Sequence, residues 1–366
     1  MMSHSFTYSF LSLRIFKNLF GLIFFLDLYY LLAFIFASSF TNNVFVDGVN
    51  YLELISMLSS GLESFGDLRS SQLLFYIYYV LYPYFFLILL FNLVIVSVAF
   101  SFSNTSLLVF IIYAPFFVLS SILPSKDILV FGLLVVYMLI LFRGYIFSSV
   151  IVSIFTFFVR DAMGLVMLMF IGIVWLRLDI RKLLFVLFFV VLVSSLYLYE
   201  LLAITNSFML ERTLGYFQAN GLEINNYLIR LIGNVTNLSS RAVFVSVQGY
   251  LSFTGIVLFL SGIGVFSAFL ISTYVIFFRV SLISTPLYLS ASLYLLILVL
   301  FSASPLVQPR YLIPVSFLVL SSYWYRCSDK LDFYLILFLS FTVSLLLMCV
   351  YAFSGYGLPE VTEFWY

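Results

Sequence analysis

"LPSKDILVFGLLVVYMLILFRGYIFSSVIVSIFTFFVRDAMGLVMLMFIGIVWLR" occupies residues 123–177. Three apolar runs, 128–142, 145–158 and 162–176, are separated only by short charged tips: Lys126–Asp127, Arg143, Arg160–Asp161 and Arg177. Barrel strands are short alternating segments, and these runs are continuous, so a β-barrel is not expected. Charge-free interiors with Lys and Arg at the ends predict consecutive membrane-crossing helices. The same pattern extends over all 366 residues, which are 64% hydrophobic, 21% aromatic and only 8% charged. A soluble domain of this size would carry roughly 25% charged residues. The expected fold class is therefore an all-α polytopic membrane protein.

Working outward, the first span is expected at 19–40, behind Arg14 and Lys17. No A-x-A-like cleavage site follows it, so it reads as an uncleaved span rather than a signal peptide. Further spans fall at 73–100, 107–123, 128–142, 145–158, 162–176, 183–203, 243–278, 282–302, 311–325 and 333–353. The long 243–278 segment carries two candidate breaks, at Gly249 and Gly255. That makes about 11 transmembrane helices, with two larger polar stretches at 41–72 and 204–241. Four segments (128–142, 145–158, 162–176 and 311–325) are short against the about 20 residues a hydrocarbon core requires. Thinning, tilt or re-entrance would accommodate them. No linker, composition shift or internal repeat divides the chain, so 1–366 is read as a single integral membrane domain.

Lys and Arg asymmetry sets the orientation. With the N-terminus in the cytoplasm, that side collects nine basic and three acidic residues, a net +6. The opposite side collects seven basic and eleven acidic residues, a net −4, and includes both long polar stretches.

Only one histidine, His4, and two cysteines, Cys327 and Cys349, are present. A His-based triad and a His-ligated metal site are thereby nearly excluded, and the cysteines offer no metal spacing. No Gly-rich phosphate loop, H-E-x-x-H or G-x-S-x-G motif occurs. No metal, no cofactor and no nucleic-acid partner is expected.

Each helix entering from the outer side has a basic residue at or before its start: Arg69, Lys126, Arg160, Arg241 and Arg310. This opposes both the positive-inside bias and the helix macrodipole, whose N-terminal end is already positive. One explanation is snorkelling of ordinary flanking charges. The other is an anion: helix N-termini with Lys and Arg form a receptor for phosphate, and several facing one cavity suit a diphosphate. Asp127 and Asp161 follow Lys126 and Arg160 in the first helical turn, where a carboxylate offsets the dipole.

The segment 46–67 has apolar residues at Val49, Leu52, Leu54, Ile55, Leu58 and Leu62, which predicts an amphipathic helix at the interface. Asp47 stands in an N-cap-like position ahead of it, where capping is its ordinary role. The stretch 204–241 holds Glu211, Arg212, Glu223 and Arg230 among Asn, Gln and aromatic residues. That composition suits either sugar binding or a solvated loop. Asp27 lies mid-helix in the first span, a costly place unless buried and hydrogen-bonded, or protonated as part of proton coupling.

Four segments together resemble known families. "DGVNYLEL" (47–54) resembles the first-loop Asp and Tyr region of membrane glycosyltransferases of the GT-C type. "LPSKDILVFGLL" (123–134), "FFVRDAMGLVML" (157–168) and "VQPRYLIPVSFLVL" (307–320) resemble segments of bacterial O-antigen and exopolysaccharide polymerases. The resemblance covers about 50 residues, in the order those enzymes have them. It implies a GT-C-like fold and a glycosyltransferase of the bacterial inner (cytoplasmic) membrane that joins undecaprenyl-diphosphate-linked oligosaccharide repeat units on the periplasmic face. Undecaprenyl diphosphate would leave, and a flippase and a chain-length regulator would be partners.

The residues fit such chemistry on their own terms. Lys126, Arg160, Arg241 and Arg310 could stabilise a departing diphosphate without a metal. The acceptor hydroxyl needs a base, and Asp47 is the first choice, Asp127 the second. Asp127 could instead fix Lys126 by ion pairing, and Tyr51 and Tyr311 could orient sugar or phosphate. Three alternatives stand beside this: a transferase of single sugars from a polyprenyl phosphate, a lipid-linked oligosaccharide flippase or other transporter, and a structural or assembly subunit.

Overall fold

A computed structural model describes residues 2–35, 46–61, 72–103, 105–196, 253–279, 285–302, 311–326 and 330–353. These form thirteen helices and, among the described residues, no strand. They are α1 (Met2–Ile35), α2 (Val46–Ser60), α3 (Gln72–Leu81), α4 (Phe85–Phe102) and α5 (Leu107–Ser121). Then come α6 (Lys126–Phe142), α7 (Ile146–Val159), α8 (Asp161–Trp175) and α9 (Ile180–Leu196). The last four are α10 (Phe253–Phe278), α11 (Pro286–Ser302), α12 (Ile313–Arg326) and α13 (Lys330–Phe353).

Among the described residues, the segments expected as spans are helical, with three departures. The single span at 73–100 is two helices, α3 and α4, interrupted at Tyr82–Tyr84. Pro83 is the reason: it has no N–H to continue the helical ladder, and its ring clashes with the preceding turn. Conversely, α10 runs without interruption through Gly255, and Gly249 lies outside the described residues. Helix α1 begins at Met2, well ahead of the expected span.

Helices α4, α5, α6 and α12 meet in a ring cluster at the centre. Phe117 stacks on Phe131 with centroids 4.2 Å apart, and Phe317 meets Phe131 and Phe100 edge-on at 5.0 and 4.8 Å. Around it, tyrosine hydroxyls tie helix to helix. Tyr113 of α5 shares a 2.7 Å hydrogen bond with Ser316 of α12, Tyr137 of α6 donates to the Met167 carbonyl of α8, and Tyr294 of α11 donates to the Val265 carbonyl of α10. With little water nearby, such bonds satisfy polar groups that would otherwise be stranded. Gly264 makes one of these contacts feasible, because a Cβ there would stand 2.4 Å from the Tyr113 hydroxyl.

Outward faces are apolar: Phe20 and Phe24 on α1, Phe147 and Phe155 on α7, and Phe185 on α9 are all exposed. By length and composition, Phe85–Phe102 and Phe259–Phe278 are long and apolar enough to cross a membrane. Together these features are compatible with a helical membrane protein. The short helices stay short: α7, α8 and α12 have 14, 15 and 14 residues, or about 21–22 Å at the α-helical rise.

Connections of three residues (α6–α7) and one residue (α7–α8) make these packed neighbours antiparallel. At one end α1 is pinned to α4: Ser97 Oγ donates to the Ile15 carbonyl at 2.6 Å, and Asn18 Nδ2 to Ser101 Oγ at 2.9 Å. The alternation of helices carries Arg143 and Arg177 to that end, and Lys126 and Arg160 to the other.

Asp27 departs from expectation. Leu22 and Leu26 face the core, while Asp27, about 100° round the helix from Leu26, is exposed on the side of Phe24 and Leu31.

Candidate functional site

The end that carries Lys126 is built from the turn between α5 and α6. Its backbone is held from behind by two buried polar side chains. Asn92 of α4 donates to the Ser121 and Leu123 carbonyls at 3.0 and 3.1 Å. Tyr78 of α3 donates to Asn92 Oδ1 at 2.6 Å and accepts from the Ser125 N–H at 3.2 Å. These four hydrogen bonds satisfy polar groups that would cost free energy if left unpaired. Neither residue stands out as a charge. The available signal was Asn92 itself, a lone amide within the apolar run 85–96, where burial is costly without partners.

Ser125 then starts α6 in an extended conformation, and Lys126 and Asp127 form its first turn. Asp127 does not serve Lys126. Its Oδ1 accepts a 2.8 Å hydrogen bond from Nη1 of Arg160, and the two side chains are 10% and 11% exposed. Asp127 sits on the buried side of α6 and faces the tip of the neighbouring hairpin, whereas adjacent helical side chains point about 100° apart.

That hairpin is unusually tight. Arg160 is at once the last cap of α7 and the first of α8, with φ −151° and ψ 100°. Its N–H closes α7 on the Thr156 carbonyl at 2.7 Å, and its carbonyl opens α8 by accepting from Gly164 at 3.1 Å. Gly164 is required for the close crossing: a Cβ there would lie 2.4 Å from the Phe157 backbone nitrogen. Asp161, exposed, turns its Oδ1 to the Ala162 N–H at 2.8 Å, the local role expected of a first-turn carboxylate.

Two aromatic rings complete the cluster. The Arg160 guanidinium lies 4.2 Å from the centroid of Tyr311, in the turn that leads into α12. The Lys126 ammonium lies 5.0 Å from the centroid of Tyr51 on α2, whose ring packs edge-on against Phe75 at 5.6 Å. Both are cation–π distances. Helix α2 is amphipathic as expected, with Ile55 and Leu58 buried and Glu53, Ser56 and Ser59 exposed.

Five expected residues therefore fall into two contact sets at one end of the bundle, Tyr51 with Lys126 and Asp127 with Arg160 and Tyr311, which meet through the adjacent positions 126 and 127 of α6. Asp47 lies in the first turn of α2, inside the helix rather than capping it, one turn ahead of Tyr51. Its side chain, Arg69, Arg241, Arg310 and the 204–241 stretch lie outside the described residues. Among the described residues no three His, Cys, Asp or Glu side chains converge. Compared with family models, curated proteins and solved structures, the chain matches none.

Proposed function

We propose that the chain is a multi-pass inner-membrane polymerase with its N-terminus in the cytoplasm, joining undecaprenyl-diphosphate-linked oligosaccharide units on the periplasmic face. The observation that supports it is the convergence of Lys126, Arg160, Tyr51 and Tyr311 at one end of the bundle, from four separate parts of the chain. Cations gathered where apolar helices end are what a lipid-linked diphosphate requires.

In the reaction, a hydroxyl of the incoming unit forms a bond to the anomeric carbon of the growing chain. The bond from that carbon to the diphosphate breaks, and its electron pair leaves with undecaprenyl diphosphate. Lys126, with Arg241 and Arg310, stabilises the charge that develops on the leaving oxygen. Arg160 commits Nη1 to Asp127; its remaining N–H donors are assigned to phosphate. Asp127, held to Arg160, acts as counter-ion, so the hydroxyl proton passes to Asp47, one helical turn from Tyr51.

The test is the purified protein in vesicles with lipid-linked repeat units. A ladder of lengthened products is expected. Relocation without lengthening would identify a flippase, and addition of single sugars from a polyprenyl phosphate a simpler transferase. Lys126→Ala and Arg310→Ala should abolish polymer at normal protein levels; full-length polymer in both removes the diphosphate cradle. Asp47→Asn should stop chain growth, and an unchanged product length removes Asp47 as base.

A further inference from the structure

The outward side of α1 carries one charge that no described residue answers. Phe16, Phe20, Ile23, Asp27, Tyr30 and Phe34 follow one another at intervals of 3 and 4 residues and so share one face. All six are exposed. The opposite side, where Leu22 and Leu26 are buried, is the one that packs on α4 and α5. Beyond Lys17, Asp27 is the only charged residue of α1.

Depth makes this charge costly. Asp27 lies 10 residues past Lys17, about 15 Å along the helix axis, or half of the about 30 Å hydrocarbon thickness. Lys17 is exposed and suits the membrane interface. A carboxylate at mid-membrane normally turns into its bundle or pairs with another side chain. Asp27 does neither: it is exposed, and among the described residues its carboxylate makes no hydrogen bond or ion pair.

The chemistry that would answer it is narrow. A protein segment in hydrocarbon must satisfy its own backbone, and beside a helix at this depth that means a second helix. To neutralise Asp27, that helix must carry Lys or Arg at the same depth. A second copy of this chain offers neither. Symmetric copies in one bilayer share their depth, so Asp27 would meet its own counterpart and set like charges together. Lys and Arg stand only at the ends of the apolar runs or in the polar stretches of the sequence.

We propose that this face of α1 docks a membrane-spanning helix of another protein, one with a single Lys or Arg at mid-membrane that pairs with Asp27. Phe20, Ile23, Tyr30 and Phe34 supply the packing surface. Asp27 fixes depth and rotation, as a lone polar residue does in an apolar helix seam. The inference needs α1 to lie in a bilayer and does not depend on the reaction proposed above.

The test reads energy transfer between the full-length protein, donor-labelled at its N-terminus, and acceptor-labelled synthetic helices in phosphatidylcholine vesicles. The probes are Leu-rich helices of about 20 residues with Lys, Ala or Asp at the centre. The Lys helix should bind about tenfold more tightly than the Ala helix, the low end for a close charge pair across an interface. Asp27→Leu should erase that preference, and Asp27→Lys should transfer it to the Asp helix. Because no described residue answers Asp27, Asp27→Leu should leave thermal stability in detergent unchanged or raised. Equal binding of the Lys and Ala helices, or binding of neither, makes the face a lipid surface and overturns the proposal. Energy transfer between copies of the protein that Asp27→Leu abolishes assigns the face to self-association and overturns it too. A lower melting temperature of Asp27→Leu overturns it by giving Asp27 a role inside the bundle. A product ladder from lipid-linked units, or its absence, bears on the polymerase alone.

Discussion

Two dipeptides of the same design open neighbouring helices: Lys126–Asp127 at α6 and Arg160–Asp161 at α8. In the second, the carboxylate stays local, exposed, bonded to the next N–H of its own helix. In the first, it is buried and reaches 33 residues along the chain to the other pair's arginine. Burial makes the difference. An exposed carboxylate is content with water and a helix end, whereas a buried one needs a full counter-charge. The pair of sites is thus asymmetric: α6 supplies the anion and the α7–α8 tip the cation, while Lys126 turns to the Tyr51 ring and Asp161 stays exposed.

The sharpest way to break that asymmetry is Asp127→Asn. It leaves Arg160 buried without its counter-charge and should cost about 3–5 kcal/mol, read as a fall in thermal stability of the detergent-solubilised protein. Combining it with Arg160→Gln should restore part of the loss. Simple additivity of the two variants would show that the charges do not act on each other. Asn92→Leu comes next, since it strands two carbonyls behind Lys126, at about 1–3 kcal/mol. Tyr311→Leu removes the ring beneath the guanidinium and should cost about 0.5–2 kcal/mol, with Tyr311→Phe close to wild type. Asp161→Ala should lie within about 1 kcal/mol. If it proved as damaging as Asp127→Asn, the distinction between a local and a tertiary carboxylate would collapse.

How far the sequence alone reaches follows the same division between local and tertiary. Apolar runs and their charged tips locate the helices because each run reports its own environment. The amphipathic spacing of 49–62 likewise foretells α2, since Ile55 and Leu58 share a face. Pro83 was legible as a breaker, yet its apolar flanks make 73–100 look continuous. The cations at helix starts were singled out by their opposition to the helix dipole, and Lys126 and Arg160 do lie at one end of the bundle, each against a chosen tyrosine. Which carboxylate answers which cation was not legible. That depends on how α6 turns about its axis against the α7–α8 tip, a matter of packing. Asp27 failed for the same reason: span and depth are written in the sequence, but the helix face turned inward is decided by neighbours.

The single-residue turn between α7 and α8 has a mechanical consequence. Arg160 has no loop to absorb movement, because its own N–H and C=O are the closing bond of one helix and the opening bond of the next. Gly164 locks the two together at backbone contact. Its backbone cannot shift while the hairpin stays still, so a ligand that drags on its guanidinium pulls a rigid two-helix lever whose far ends are the turns at Gly144 and Arg177.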